Sequence, residues 1–135
     1  MALKIGEVAK RGGVNLQTIR YYERETLLPK PPRLASGYRM FPEQTVHRVR
    51  FIKRAQELGF SLAEIRELLS IRVDPKKDCS DVQGLAEAKV ADIEAKIRTL
   101  RSMKRVLTGL SKLCRGCGPT NECPILECLD DKAEP

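Results

Sequence analysis

The apolar positions of this chain change their rhythm several times, and each change marks an element. In "IGEVAKRGGVNLQTIRYYERETLL", Ile5, Val8 and Ala9 recur at helical spacing, and Gly12 and Gly13 then break the run. Asn15 is a good N-cap for a second helix whose Leu16, Ile19 and Tyr22 share a face. The opposite face is polar, with Gln17, Thr18, Arg20 and Tyr21. Helix, glycine turn and helix over about 5–24 form a helix-turn-helix pattern, although a plain helical hairpin fits the same spacing.

Three prolines and a Ser-Gly pair then exclude a long helix over about 26–41. Lys30, Arg33, Tyr38 and Arg39 make this stretch a wing able to grip phosphate, since phosphate contacts need cationic and hydroxyl donors. Asn15, Gln17, Thr18, Arg20 and Tyr21 are the candidates for the DNA groove; Arg33, Tyr38 and Arg39 are the candidates for the backbone. Pro42 fits the first turn of a helix running to about Leu58, with Val46, Val49, Ile52 and Ala55 inward and Gly59 as its stop. Ser61 and Glu64 predict a capping box for the next helix, which carries Leu62, Ile65, Leu68 and Leu69. These two helices are expected to form the core of a head spanning 1–72. Arg48, Arg50, Lys53 and Arg54 are expected on a solvated or phosphate-facing rim.

A proline-bearing hinge, 73–79, precedes a single long helix over 80–113, roughly 50 Å by the helical rise. Ser80 or Asp78 could cap it. Ala86, Ile93, Leu100 and Leu107 recur every seven residues, and Val90 and Ile97 take the complementary seam positions. The stripe is too long for so small a head to cover, so a second copy of the helix is expected against it. Extending the seven-residue series in both directions reaches Cys79 and Cys114, five heptads apart. A parallel dimer would bring each thiol to its own copy. An antiparallel dimer brings Cys79 of one chain beside Cys114 of the other and makes two equivalent sites. Gly116, Gly118 and Pro119 let the chain turn back, so Cys123 could return to the same place, and "PILECL" predicts a short apolar helix within 114–135.

Charge sharpens this division. Counting along the sequence gives 14 Lys and Arg against 7 Asp and Glu in residues 1–72, and 11 against 11 in residues 73–135. The whole excess lies in the head, the footprint of a polyanion-binding module. No apolar run is long enough to span a bilayer, and the charged start does not suit a signal peptide, so a cytoplasmic protein is expected. There thiols stay reduced, and a reduced set of five points to soft-metal binding or redox sensing rather than to disulfides. Cys114 and Cys117 could also form a redox pair of an enzyme, but no βαβ pattern or catalytic base accompanies them. The chain is therefore not expected to be an enzyme.

"IGEVAKRGGVNLQTIRYYERETLLP", "SGYRMF" and "QELGFSLAEIRELL" resemble the head of the MerR family of transcription regulators, and "DCSD" and "ECPILE" resemble its mercury-sensing branch. The resemblance implies a mostly α-helical winged helix-turn-helix head with a small β wing, a long antiparallel coiled-coil dimerisation helix and a C-terminal metal-binding loop. It implies two Hg(II) ions per homodimer, each held by Cys79 from one chain and Cys114 and Cys123 from the other. It further implies promoter DNA and RNA polymerase as partners: repression without metal, activation by DNA distortion with it. A lead(II) sensor has almost the same cysteine spacing. Cys117 and Cys128 are extra thiols, and "CRGCG" is also similar to the iron–sulfur redox sensors of the family.

Overall fold

The computed structural model describes residues 2–31, 37 and 39–130. It contains two compact units, 1–89 and 90–135. In the first, α1 (Ile5–Gly12) and α2 (Leu16–Arg24) form the expected helix pair. Asn15 caps α2 by accepting from the Thr18 N–H at 2.8 Å. Gly12 does more than end α1. A Cβ there would lie 2.6 Å from Val49 Cγ1, so the missing side chain is what lets α1 close on α3 (Gln44–Glu57).

The head's core is shared more widely than the sequence pattern predicts. Val46, Val49, Ile52 and Ala55 of α3 are buried as expected, with Ile65 and Leu69 of α4 (Leu62–Arg72). Val8, Ile19, Tyr22, Leu27 and Leu28 from the helix-turn-helix region contribute equally. Phe41 reaches the same core from a two-stranded antiparallel sheet that the sequence pattern does not reveal. Strand β1 (Ala2–Lys4) pairs with β2 (Met40–Pro42), setting Leu3 opposite Phe41. Pro42 therefore ends a strand rather than opening α3, a place where its lost N–H is tolerated.

The basic rim also differs from expectation. Arg48 donates to the Leu27 carbonyl at 2.7 Å, Arg50 to the Arg11 carbonyl at 3.0 Å and Lys53 to the Gly13 carbonyl at 2.8 Å. These side chains tie α3 to carbonyls in and just after the neighbouring helices, so they are structural clasps and not merely a solvated edge.

Ser61 and Glu64 form the reciprocal capping box at α4. The Ser61 N–H and the Lys89 ammonium, 2.9 Å away, hold the Glu64 carboxyl down at about 2. Lys89 is buried and stands over the Phe60 ring. It belongs to α5 (Cys79–Leu113), whose opening turns thereby rest on the head unit. Helix α5 begins at Cys79, one residue earlier than expected, because Asp78 is its cap. The Asp78 carboxylate accepts from the Ser80 N–H at 2.9 Å, and Asp81 accepts from the Asp78 N–H at 3.0 Å. The Ser80 hydroxyl and N–H hold the Asp78 carboxyl below its ordinary value.

In the second unit α5 continues to Leu113, a 3-10 turn spans Thr120–Glu122, and α6 covers Pro124–Asp130. The predicted seam lies open within the single chain: Val90, Ile93, Ile97, Leu100 and Leu107 are all between 39% and 62% exposed. Ala86 is exposed as well, while Leu110 is buried.

Gly12→Ala is expected to destabilise the head by about 1–3 kcal/mol through overpacking against Val49. A denaturant midpoint equal to wild type would show that Val49 yields freely. The Glu64 carboxyl titrates lower folded than its ordinary 4.5, so its stabilisation is present above that pH and fades as pH falls toward about 2. Over this window the stability difference between wild type and Glu64→Gln is expected to shrink. A difference constant with pH would remove both the Ser61 N–H and the Lys89 ammonium as stabilisers of the Glu64 carboxylate.

Candidate nucleic-acid face and thiol cavity

The outer face of α2 presents the expected side chains. Gln17, Arg20 and Tyr21 are exposed, and Thr18 is half-buried. Asn15 and Thr18 are drawn into the cap, since Asn15 Oδ1 accepts from both the N–H and the hydroxyl of Thr18. That leaves Gln17, Arg20 and Tyr21 to reach outward. Arg24 joins them: its guanidinium carbon stands 5.8 Å from the centre of the Tyr21 ring. The signal for it was present in the sequence, three residues beyond Tyr21 on the same face. On the inner side Tyr22 is buried and donates to Gln56 at 2.7 Å. Burial, and then the neighbouring Tyr21, push its hydroxyl up.

Of the wing candidates, Arg33 and Tyr38 lie outside the described residues. Arg39 is only partly available for phosphate. Its guanidinium donates to Glu23 at 2.9 Å, and the Glu23 side chain is 2% exposed. The pair fastens the wing base to α2. Beside it, Arg24, Lys30 and Arg48 line an open notch with Glu23, Thr26, Leu28 and Pro29. This notch gathers three cations at the foot of α2, a fit for a phosphate of the backbone.

The thiols fall in two places. Cys79 is exposed at the first residue of α5. Cys114 follows the last residue of the same helix, and the chain then curls round a cavity of about 610 Å³. Cys114, Cys117 and Cys123 all line it. Gly116 (φ +77) and Gly118 (φ +106) supply the left-handed turns that let the loop close, conformations that side-chain-bearing residues rarely adopt. The Gly116 N–H donates to Cys114 Sγ at 3.4 Å. The carbonyl of Cys123 accepts from the Glu127 N–H, which seats Cys123 at the start of α6. Cys128 is exposed on α6 and is not part of the cavity wall. Among the described residues of one chain, no three potential ligands stand close enough together to hold an ion.

Residues 3–71 match the MerR HTH family regulatory protein, and residues 46–110 match the family described as MerR, DNA binding. The chain belongs to the MerR family. It is a DNA-binding transcription regulator and not an enzyme. It is 46% identical to the mercuric resistance operon regulatory protein of Bacillus cereus, over 98% of this chain and 100% of that protein. Two solved structures share its fold. The transcription regulator PbrR691 of Ralstonia metallidurans CH34, in complex with lead(II), superimposes with a TM-score of 0.82 at 36% identity, covering 94% of this chain and 98% of that one. The regulator MerR of Bacillus megaterium MB1, in complex with mercury(II), gives a TM-score of 0.72 at 43% identity, covering 96% and 100%. Among the described residues no helix is long and apolar enough to cross a membrane.

Arg39→Ala leaves Glu23 buried without its cation. It is expected to lower head stability by about 1–3 kcal/mol, and Glu23→Gln in the same chain is expected to recover part of that loss. Equal unfolding midpoints for Arg39→Ala and wild type would show that the pair does not hold the wing.

Proposed function

We propose that this chain is a homodimeric, cytoplasmic, Hg(II)-responsive regulator of a mercury-resistance operon. Each of two metal sites takes Cys114 and Cys123 from one chain and Cys79 from the other. The observation that carries this reading is the placement of the thiols. Cys114 and Cys123 share a cavity wall, whereas Cys79 stands at the far end of a 35-residue helix. A helix of that length separates its ends by about 50 Å, so one chain cannot unite the three. The exposed stripe between them invites an antiparallel copy, which carries the partner's Cys79 to Cys114. Three thiolates make a soft, low-coordinate site that suits Hg(II).

The basic head binds promoter DNA through Gln17, Arg20 and Tyr21 of α2, with Arg33, Tyr38 and Arg39 on phosphates. Without metal the dimer holds the promoter inactive. With metal it bends and untwists the DNA so that RNA polymerase engages both promoter elements. The ion drives this change only as far as it binds the activating conformation more tightly than the repressing one. The likeness to the lead(II)-bound regulator favours a second reading, a Pb(II) sensor using the same three thiols.

A heterodimer tests the sharing of ligands. One chain carries Cys79→Ser, the other Cys114→Ser and Cys123→Ser. One site then loses all three ligands and the other keeps all three. The heterodimer is expected to bind one Hg(II) in three-sulfur geometry, and each mutant homodimer none. Verified heterodimers without such a site would overturn the antiparallel arrangement. Promoter transcription read against Hg(II) and Pb(II) separates the two metals.

A further inference from the structure

Among the described residues other than glycine, Thr26 alone has a positive φ, +60°. It follows α2 in a turn that glycine ordinarily fills: the Thr26 N–H donates to the Glu23 carbonyl at 3.1 Å and the Leu27 N–H to the Tyr22 carbonyl at 2.9 Å. A β-branched side chain is strained in this left-handed region. Burial of the next two residues, Leu27 at 0% and Leu28 at 2% exposure, holds the turn in place against that strain. We propose that Thr26 is a ligand of the DNA backbone, its hydroxyl completing a phosphate-binding notch with Arg24, Lys30 and Arg48. This inference rests on the reading of α2 and the wing as the DNA-binding face.

Four observations bear on it. First, Thr26 is exposed and lines the same open notch as the three cations. Second, its hydroxyl is available. It donates to the Glu25 carbonyl at 2.6 Å, but Arg66 donates to that carbonyl as well, through Nη2 at 2.8 Å and Nε at 3.2 Å. The carbonyl therefore stays satisfied when the hydroxyl turns to another acceptor. Third, Arg48 is anchored beside the turn, because its Nε donates to the Leu27 carbonyl at 2.7 Å. Fourth, the acid on the notch wall is already matched: the Glu23 carboxylate pairs with Arg39 at 2.9 Å, and its side chain is 2% exposed. The notch therefore keeps the charge of its three cations for an incoming anion.

The chemistry divides the work between charge and geometry. Phosphate oxygens accept from guanidinium, ammonium and hydroxyl groups, and such contacts fix the position of the head without reading bases. Each cation that meets a phosphate releases counterions, so it makes binding dependent on salt. A hydroxyl is neutral. It adds a directed hydrogen bond to a charged acceptor and leaves the salt dependence as the cations set it. Glycine at position 26 would relieve the backbone and offer no donor. The strained turn is thus explained by what the side chain does for the bound DNA, and the free head is less stable for it.

The test uses the full-length reduced protein as wild type, Thr26→Gly, Thr26→Ser, Arg24→Ala and Lys30→Ala. Binding is measured over a range of salt on a duplex carrying the chain's own promoter and on a scrambled duplex of equal length. Unfolding by denaturant is followed in parallel. Thr26→Gly is expected to raise the unfolding midpoint yet weaken binding to both duplexes by about 10-fold, the effect of losing a hydrogen bond to a charged group. Its salt slope should match wild type. Thr26→Ser keeps the hydroxyl and should bind close to wild type. Arg24→Ala and Lys30→Ala should weaken binding and flatten the salt slope by about 1 for each head. Wild-type affinity in Thr26→Gly would overturn the proposal, and so would Thr26→Ser binding as weakly as Thr26→Gly. A lowered midpoint in Thr26→Gly would remove the strain from it. Wild-type affinity and slope in both Arg24→Ala and Lys30→Ala would instead take the notch off the DNA and overturn the reading of this face.

Discussion

A long amphipathic helix with its apolar stripe in water is the constraint on which this architecture turns. Val90, Ile93, Ile97, Leu100 and Leu107 lie open within one chain. Burying apolar surface yields roughly 25 cal/mol for each Å² removed from water, so a stripe repeated over several heptads is a strong drive to association. The same repeat fixes where the thiols fall. Because Cys79 and Cys114 continue the seven-residue series, any pairing that buries the stripe also sets the thiols at the margins of the pairing. In the proposed dimer, assembly and metal recognition are thus written into one periodicity.

The head solves a different problem, since it must hold a polar face rigid. It does so with cations directed at carbonyls. Arg48, Arg50 and Lys53 each satisfy a main-chain oxygen in or after a neighbouring helix, and Arg66 does the same at Glu25. These groups stabilise the turns that present α2, while α2 keeps Gln17, Arg20, Tyr21 and Arg24 outward. Positive charge in this unit therefore has two duties, bracing and attraction, and only the second is visible in a net charge.

What the sequence disclosed depended on how local each interaction is. Asn15 before α2, the Ser61–Glu64 box and the unbroken run after Asp78 are contacts within a turn or two, and their helices appear where the pattern predicts them. The pairing of Leu3 with Phe41 was not legible, because three-residue strands carry no readable alternation and their partners lie far apart in sequence. The Arg39–Glu23 pair was hidden for the same reason, which is why Arg39 read as a phosphate donor alone. Around the thiols, spacing revealed the return of the chain from Cys114 to Cys123. It did not reveal that Cys117 shares their cavity, since that follows from the sense in which two glycines turn the backbone.

The cap of α5 has a consequence for time and order as well as for place. Asp78 and Asp81 accept the N–H groups that flank Cys79, so the backbone that carries this thiol is held by hydrogen bonds to carboxylates one residue to either side. The conformational entropy of positioning it is lost when the helix folds, not when an ion arrives. For the metal site proposed above, a backbone fixed beforehand raises the effective concentration of sulfur met by an ion already touching the opposite loop. In the proposed shared site Cys79 is the anvil, and the glycine-turned loop is the part that meets it.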